Sequence, residues 1–142
     1  MPSVTLSTKI AADPDRLWQA IGGFAAIADW HPAIQKAELQ GEDGRRGTIR
    51  TLHLGGGGKI VERLEEASPS ERVYSYSILE GPLPLEHYRA EIRVVDNGDG
   101  TSTVTWSSRF EPAGVTENEA VKLVRDIYEA GLENLRRLYG GK

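Results

Sequence analysis

The chain has 142 residues, a formal charge of −4 spread over interspersed acids and bases, and no cysteine. That length suits one domain able to bury a core without covalent staples, and the missing cysteines exclude disulfides, thiolate metal sites and a cysteine nucleophile. Scattered basic residues argue against nucleic acid as a partner, because phosphate is met by a basic face.

No apolar run nears the roughly 20 residues of a membrane span, and MPSVTLSTKI lacks the basic-then-apolar pattern of a secretory leader. The expectation is one domain over residues 1–142, cytoplasmic, without stable membrane insertion, as a monomer or homodimer.

Val4, Leu6, Thr8 and Ile10 alternate with polar residues, the period of a half-buried strand. Asp13-Pro14 then reads as a helix cap with proline at the first position, and Leu17, Trp18 and Ile21 share one face. Gly22-Gly23 interrupts, and Phe24, Ile27 and Ala28 predict a second short helix that stops before Pro32. Six further strands are predicted over 34–40, 48–54, 59–66, 72–79, 86–96 and 102–111. Their separators are short and rich in Gly, Pro, Asn, Asp and Ser, so neighbouring strands are antiparallel and form a meander.

From Thr116 to Leu138 the period changes to that of a helix. Thr116 and Glu119 have capping-box spacing, and Ala120, Val124, Ile127, Gly131, Leu135 and Leu138 form an apolar stripe. Gly140-Gly141 is the expected stop.

The fold class is therefore α+β: a seven-stranded curved antiparallel sheet gripping one long helix. On the sheet's inner face the pattern places Tyr74, Tyr76 and Ile78, then Tyr88, Ala90 and Ile92, then Val104, Trp106, Ser108 and Phe110. One bulge in the last strand would exchange its faces. Small residues such as Ala90, Ser108 and Gly131 among aromatics leave room for a ligand, or else the volume closes into core.

The run Trp30-His31-Pro32, the segment Val61-Glu62-Arg63-Leu64-Glu65 and the segment Glu80 to Arg89 carry a resemblance across essentially the whole chain. The sequence resembles the START-like (SRPBCC) helix-grip superfamily, which includes polyketide cyclase/dehydrase and lipid-transport domains. It looks closest to bacterial relatives of the abscisic-acid receptors. The resemblance implies an internal cavity lined by Glu62, Tyr76, Tyr88, Ala90, Leu123, Ile127 and Gly131, with Trp106 and Ser108 added by their inward face. It also implies a gate over Leu54, Gly55, Gly56, Gly57 and Gly58. The matching latch is Gly81 to His87, including Pro82, Leu83, Pro84 and Leu85. The receptors' gate proline and latch His-Arg pair are missing, so their hormone switch is not carried over.

Period two puts Glu62 inward, where it anchors a ligand or acts as a base; the alternative is a salt bridge to Arg50 or Arg89 at the sheet surface. His53 beside the gate and His87 in the latch are the other candidates for proton transfer. His31, between Trp30 and Pro32, reads as a structural hydrogen-bonding group. No metal-ligand spacing, nucleophile elbow or phosphate loop is present, and neither cofactor nor metal is expected. The expected partner is a small hydrophobic or aromatic ligand of lipid, polyketide or phenolic type. A polyketide cyclase or aromatase using the same cavity is the alternative.

Overall fold

The computed structural model describes residues 1–139, so the expected stop at Gly140-Gly141 lies outside the described residues. Strand β1 (Ser3–Ile10) leads into helices α1 (Pro14–Ile21) and α2 (Ile27–Trp30). Six strands follow: β2 (Ile34–Gln40), β3 (Ile49–Leu54), β4 (Lys59–Ser68), β5 (Val73–Glu80), β6 (Leu85–Asp96) and β7 (Ser102–Pro112). Helix α3 (Glu117–Leu138) ends the described chain.

All seven strands form one antiparallel sheet in the order β1-β7-β6-β5-β4-β3-β2. Register shifts put extra residues into β2, β4, β5 and β6, at Ile34/Lys36, Leu64/Glu66, Val61/Glu62 (opposite Leu79) and Glu86/Arg89 respectively. Each extra residue bends and twists its strand, and together they curl the sheet around α3. Strand β7 pairs without a shift from Ser102 to Arg109 on both sides, so Val104, Trp106, Ser108 and Phe110 all face inward.

The caps are those the sequence dictates. Asp13 accepts from the Arg16 N–H at 3.1 Å, and Thr116 and Glu119 exchange both bonds of a capping box at 3.1 Å each. Helix α2 starts later than the apolar spacing suggests. The Phe24 N–H is held by Asp43 Oδ1 at 2.8 Å and its carbonyl by Arg50 Nη1 at 2.7 Å, so its main chain is committed elsewhere. Helix α3 presents Ala120, Val124, Tyr128, Gly131, Leu132 and Leu135 to the sheet.

The C-terminal end of α2 is pinned to α3 at two points. His31 Nε2–H donates to the Ile127 carbonyl at 2.8 Å, and Asn134 Nδ2 donates to the Trp30 carbonyl at 2.8 Å. The space between α2, α3 and the β2–β6 side of the sheet is what remains open.

Candidate functional site

A cavity of about 370 Å³ occupies that space. Its walls come from Ile27 on α2, Ile34, Leu52, Leu54 and Ile60 on the β2–β4 side, and Leu123, Val124 and Ile127 on α3. Gly55, Gly56, Leu83 and Leu85 also line it, and Glu62, Tyr76, Tyr88, Tyr128 and Trp106 supply the polar end. An apolar enclosure with a few convergent polar groups is the usual form of a small-molecule site.

The tyrosines act as one unit. Trp106 Nε1–H donates to the Tyr76 hydroxyl at 3.0 Å, the Tyr76 and Tyr88 hydroxyls lie 3.5 Å apart, and the Tyr88 hydroxyl is hydrogen-bonded to that of Tyr128. Burial raises the pKa of all three phenols, so they stay protonated. Trp106 stacks on Tyr128 with ring centroids 4.0 Å apart and meets the edge of Trp30 at 5.5 Å. Ser108 is close enough to Tyr128 to favour its ionised form, yet its hydroxyl makes no hydrogen bond.

Glu62 sits at the edge of this cluster. Its Oε1 accepts from Arg50 Nε at 2.7 Å. Arg50 is fully buried, donates through Nη1 to the Phe24 carbonyl and to Tyr74 at 3.2 Å, and lies 4.1 Å from the Phe24 ring centroid and 4.6 Å from that of Tyr76. The aromatic faces account for a guanidinium whose Nη2 has no hydrogen-bond partner. Burial lifts the Glu62 carboxyl above its ordinary range, against the downward pull of Arg50. The ion pair the sequence offered for the sheet surface is therefore real, but it is inside: Arg50 shares the inward face with Leu52 and Leu54.

His31 is buried and borders the cavity. Besides its bond to Ile127, its Nδ1 accepts from the Ala33 N–H at 3.2 Å, which fixes the neutral tautomer. The Ala33 carbonyl in turn accepts from the Gly55 N–H at 3.1 Å. One short run of hydrogen bonds thus connects α3, through His31 and Ala33, to the glycine turn that borders the cavity. Gly57 and Gly58 close that turn with φ of 92° and 85°, a conformation that favours glycine.

Of the positions predicted to line the cavity, the structure brings Glu62, Tyr76, Tyr88, Trp106, Leu123 and Ile127 together there. Gly55 and Gly56 of the gate and Leu83 and Leu85 of the latch border it; Gly57, Gly58, Pro82 and Pro84 do not.

Three of the predicted positions lie outside this cavity. Ala90 and Ser108 face each other in the register and are buried, and neither lines this cavity. Gly131 makes room for Trp30, His31 and Trp106, one helical turn beyond Ile127.

His53 and His87 are also outside the cavity. His53 points away from Leu52 and bonds Glu38 Oε1 at 2.5 Å. His87, at φ 53°, is exposed beside Glu86 and Glu111. The ligating atoms of those three lie within 4.8 Å, a proximity created by the pairing of Glu86 with Glu111 that no sequence spacing reveals. Residues that sequence reasoning did not place in the wall include Ile27, His31, Ala33 and Val124. For Val124 the helical stripe was the available signal.

Residues 1–140 match the family model described as polyketide cyclase / dehydrase and lipid transport. The chain belongs to that family. It is 31% identical over 113 residues to the major strawberry allergen Fra a 1.08 of Fragaria ananassa, covering 75% of this chain and 68% of the allergen. The protein XoxI of Bacillus cereus superposes with a TM-score of 0.92 at 36% identity, covering 98% of this chain and 96% of that one. The Zhui aromatase/cyclase of a Streptomyces strain shares the fold, with a TM-score of 0.75 at 19% identity over 96% of this chain and 89% of that one. Membership in the polyketide cyclase/dehydrase and lipid-transport family agrees with the helix-grip architecture. Among the described residues no helix is long and apolar enough to cross a membrane.

Proposed function

We propose that the chain binds a small, largely apolar molecule of lipid, polyketide or phenolic type in the cavity between α3 and the sheet. The observation that carries this reading is the cavity's construction: about 370 Å³ of space walled mostly by aliphatic side chains, with Glu62 and three mutually hydrogen-bonded phenols as its polar groups. A packed interior leaves few voids larger than a water molecule, so a space this large with sorted walls supports a ligand role. Its mouth lies between Gly55-Gly56 and Leu83-Leu85.

The test is uptake of N-phenylnaphthylamine, an uncharged apolar fluorophore, by the purified protein. Saturable uptake is expected, and Leu123→Trp, a half-buried wall position, is expected to abolish it while the circular dichroism of the fold is kept. Absence of uptake by the wild-type protein would sink the reading.

A second reading, a cyclase or aromatase working in the same space, has one observation in its favour. A carboxylate and phenol hydroxyls share the polar end of the cavity, so a folded poly-ketone chain would meet a base and hydrogen-bond donors together. Turnover of a synthetic poly-β-ketone thioester that disappears in Glu62→Gln would establish it.

A further inference from the structure

The charges around the cavity are lopsided. Among the described residues no lysine or arginine lines it, and the one histidine that does, His31, is neutral with both ring nitrogens engaged. Arg50 lies behind the wall, with its charge committed to Glu62 and to the faces of Phe24 and Tyr76. Among the described residues Glu62 is thus the only charged side chain bordering the space. Its Oε1 is taken by Arg50, while Oε2 accepts no hydrogen bond among the described residues.

The phenols add a proton count. Three hydroxyls, those of Tyr76, Tyr88 and Tyr128, carry three protons, and their two mutual contacts use two of them. Trp106 donates into the group and takes no proton from it. The Ser108 hydroxyl beside Tyr128 makes no hydrogen bond, so one phenol proton is left outside these two contacts, whichever way the chain of bonds runs. The site presents an unused carboxylate oxygen and an unused hydroxyl proton, with no free cation.

We infer that this cavity selects uncharged ligands that carry a hydroxyl or N–H group at one end, donating to Glu62 and accepting from the tyrosine cluster, and that it rejects carboxylates. The inference rests on the cavity reading above and narrows it: alcohols, phenols and enols of apolar scaffolds fit, whereas fatty-acid anions and aromatic acids do not. A carboxylate pushed to the polar end would face Glu62 with nothing positive between them, and like charges at close quarters are strongly disfavoured. An ester brings an acceptor for the spare phenol proton but leaves Glu62 Oε2 unpartnered, so it ranks between the two.

The experiment compares β-naphthol, methyl β-naphthoate and β-naphthoate, three probes on one ring scaffold. Each displaces N-phenylnaphthylamine from the wild-type protein at about pH 7.5, where naphthol is neutral and naphthoate ionised. The expected order is naphthol first, ester second, naphthoate last, with at least about tenfold between the first and last.

Equal or better binding of naphthoate overturns the charge selection, and equal binding of ester and naphthol overturns the donor role assigned to Glu62. If the fluorophore binds but no naphthyl probe displaces it, the cavity reading survives and this one falls. If the fluorophore does not bind, both fall. In Glu62→Gln the buried Arg50 becomes the uncompensated charge, and the naphthol preference is expected to narrow by about tenfold or reverse. The wild-type ranking alone decides the matter should that variant not fold.

Discussion

A Cβ added to Gly131 would stand 2.7 Å from His31 Cδ2 and 2.9 Å from Trp30 Cζ3. The glycine is therefore the reason His31 can lie flat against α3 and reach the Ile127 carbonyl. A mid-helix glycine ordinarily costs up to about 1 kcal/mol relative to alanine. Here close approach offsets that cost.

Gly131→Ala sets those two effects against each other. Alanine favours the helix, but its methyl group meets three rings at 3.1 Å or less. Overpacking of this kind costs about 1–3 kcal/mol, so a net loss of stability is expected in urea unfolding. A stabilised variant would show that the rings yield easily. Gly131→Leu is expected to unfold the protein rather than to plug the cavity.

The buried Arg50–Glu62 pair predicts strong non-additivity. Arg50→Met leaves a carboxylate in an apolar wall and is expected to cost about 3–5 kcal/mol. Adding Glu62→Leu to it removes the orphaned charge and is expected to restore a large part of that loss. Additive losses in chemical denaturation would contradict the pairing.

Tyr88 occupies the middle of the phenol chain, bonded to both Tyr76 and Tyr128. Tyr88→Phe strips a partner from each neighbour, and about 1–3 kcal/mol of destabilisation is expected from buried hydroxyls left unmatched. The same variant is expected to bind β-naphthol more weakly while binding N-phenylnaphthylamine unchanged, a split that a general loosening of the core would not produce.

Burial lowers the pKa of His31 from its ordinary 6.5, against the Ile127 carbonyl, which favours the charged ring. The folded protein thus binds this proton less readily than the unfolded chain does. The associated stability is complete above pH 6.5 and is lost as pH falls from there through the depressed folded value. The loss is limited to about 1.4 kcal/mol per pH unit for one proton.

Glu62 works in the opposite sense. Its raised folded pKa makes the folded state the better proton acceptor above 4.5, so protonation there favours folding as pH falls. His31→Gln cannot take up the proton, and its stability is expected to be flatter than wild type between pH about 7 and 5.5. Parallel curves would assign the slope to other groups.

The sequence conveyed the scaffold well because scaffold signals are local. Alternation and turn residues placed β2 with its observed bounds, and the Thr116–Glu119 spacing placed the cap of α3. The site was harder for a physical reason. Ala90, Ser108 and Gly131 are small, and smallness alone does not say whether a ring or a ligand takes the space; at Gly131 the approach of Trp30 and His31 decides it. Arg50 is the clearest case. Its alternation with Leu52 and Leu54 points inward, but charge argues outward. Only the arrival of Phe24 and Tyr76 from distant segments makes the buried position tenable.

The bonds that Ala33 makes have a consequence for how this protein is dissected. Both are main-chain bonds, one to His31 Nδ1 and one from Gly55 N–H. An alanine scan passes over this residue by definition, and other side chains there leave its N–H and carbonyl in place. Proline is the exception, because it deletes the N–H. The tie between the back wall and the mouth would thus leave no mark in most mutational maps, and its two readable addresses are His31 and a proline at position 33.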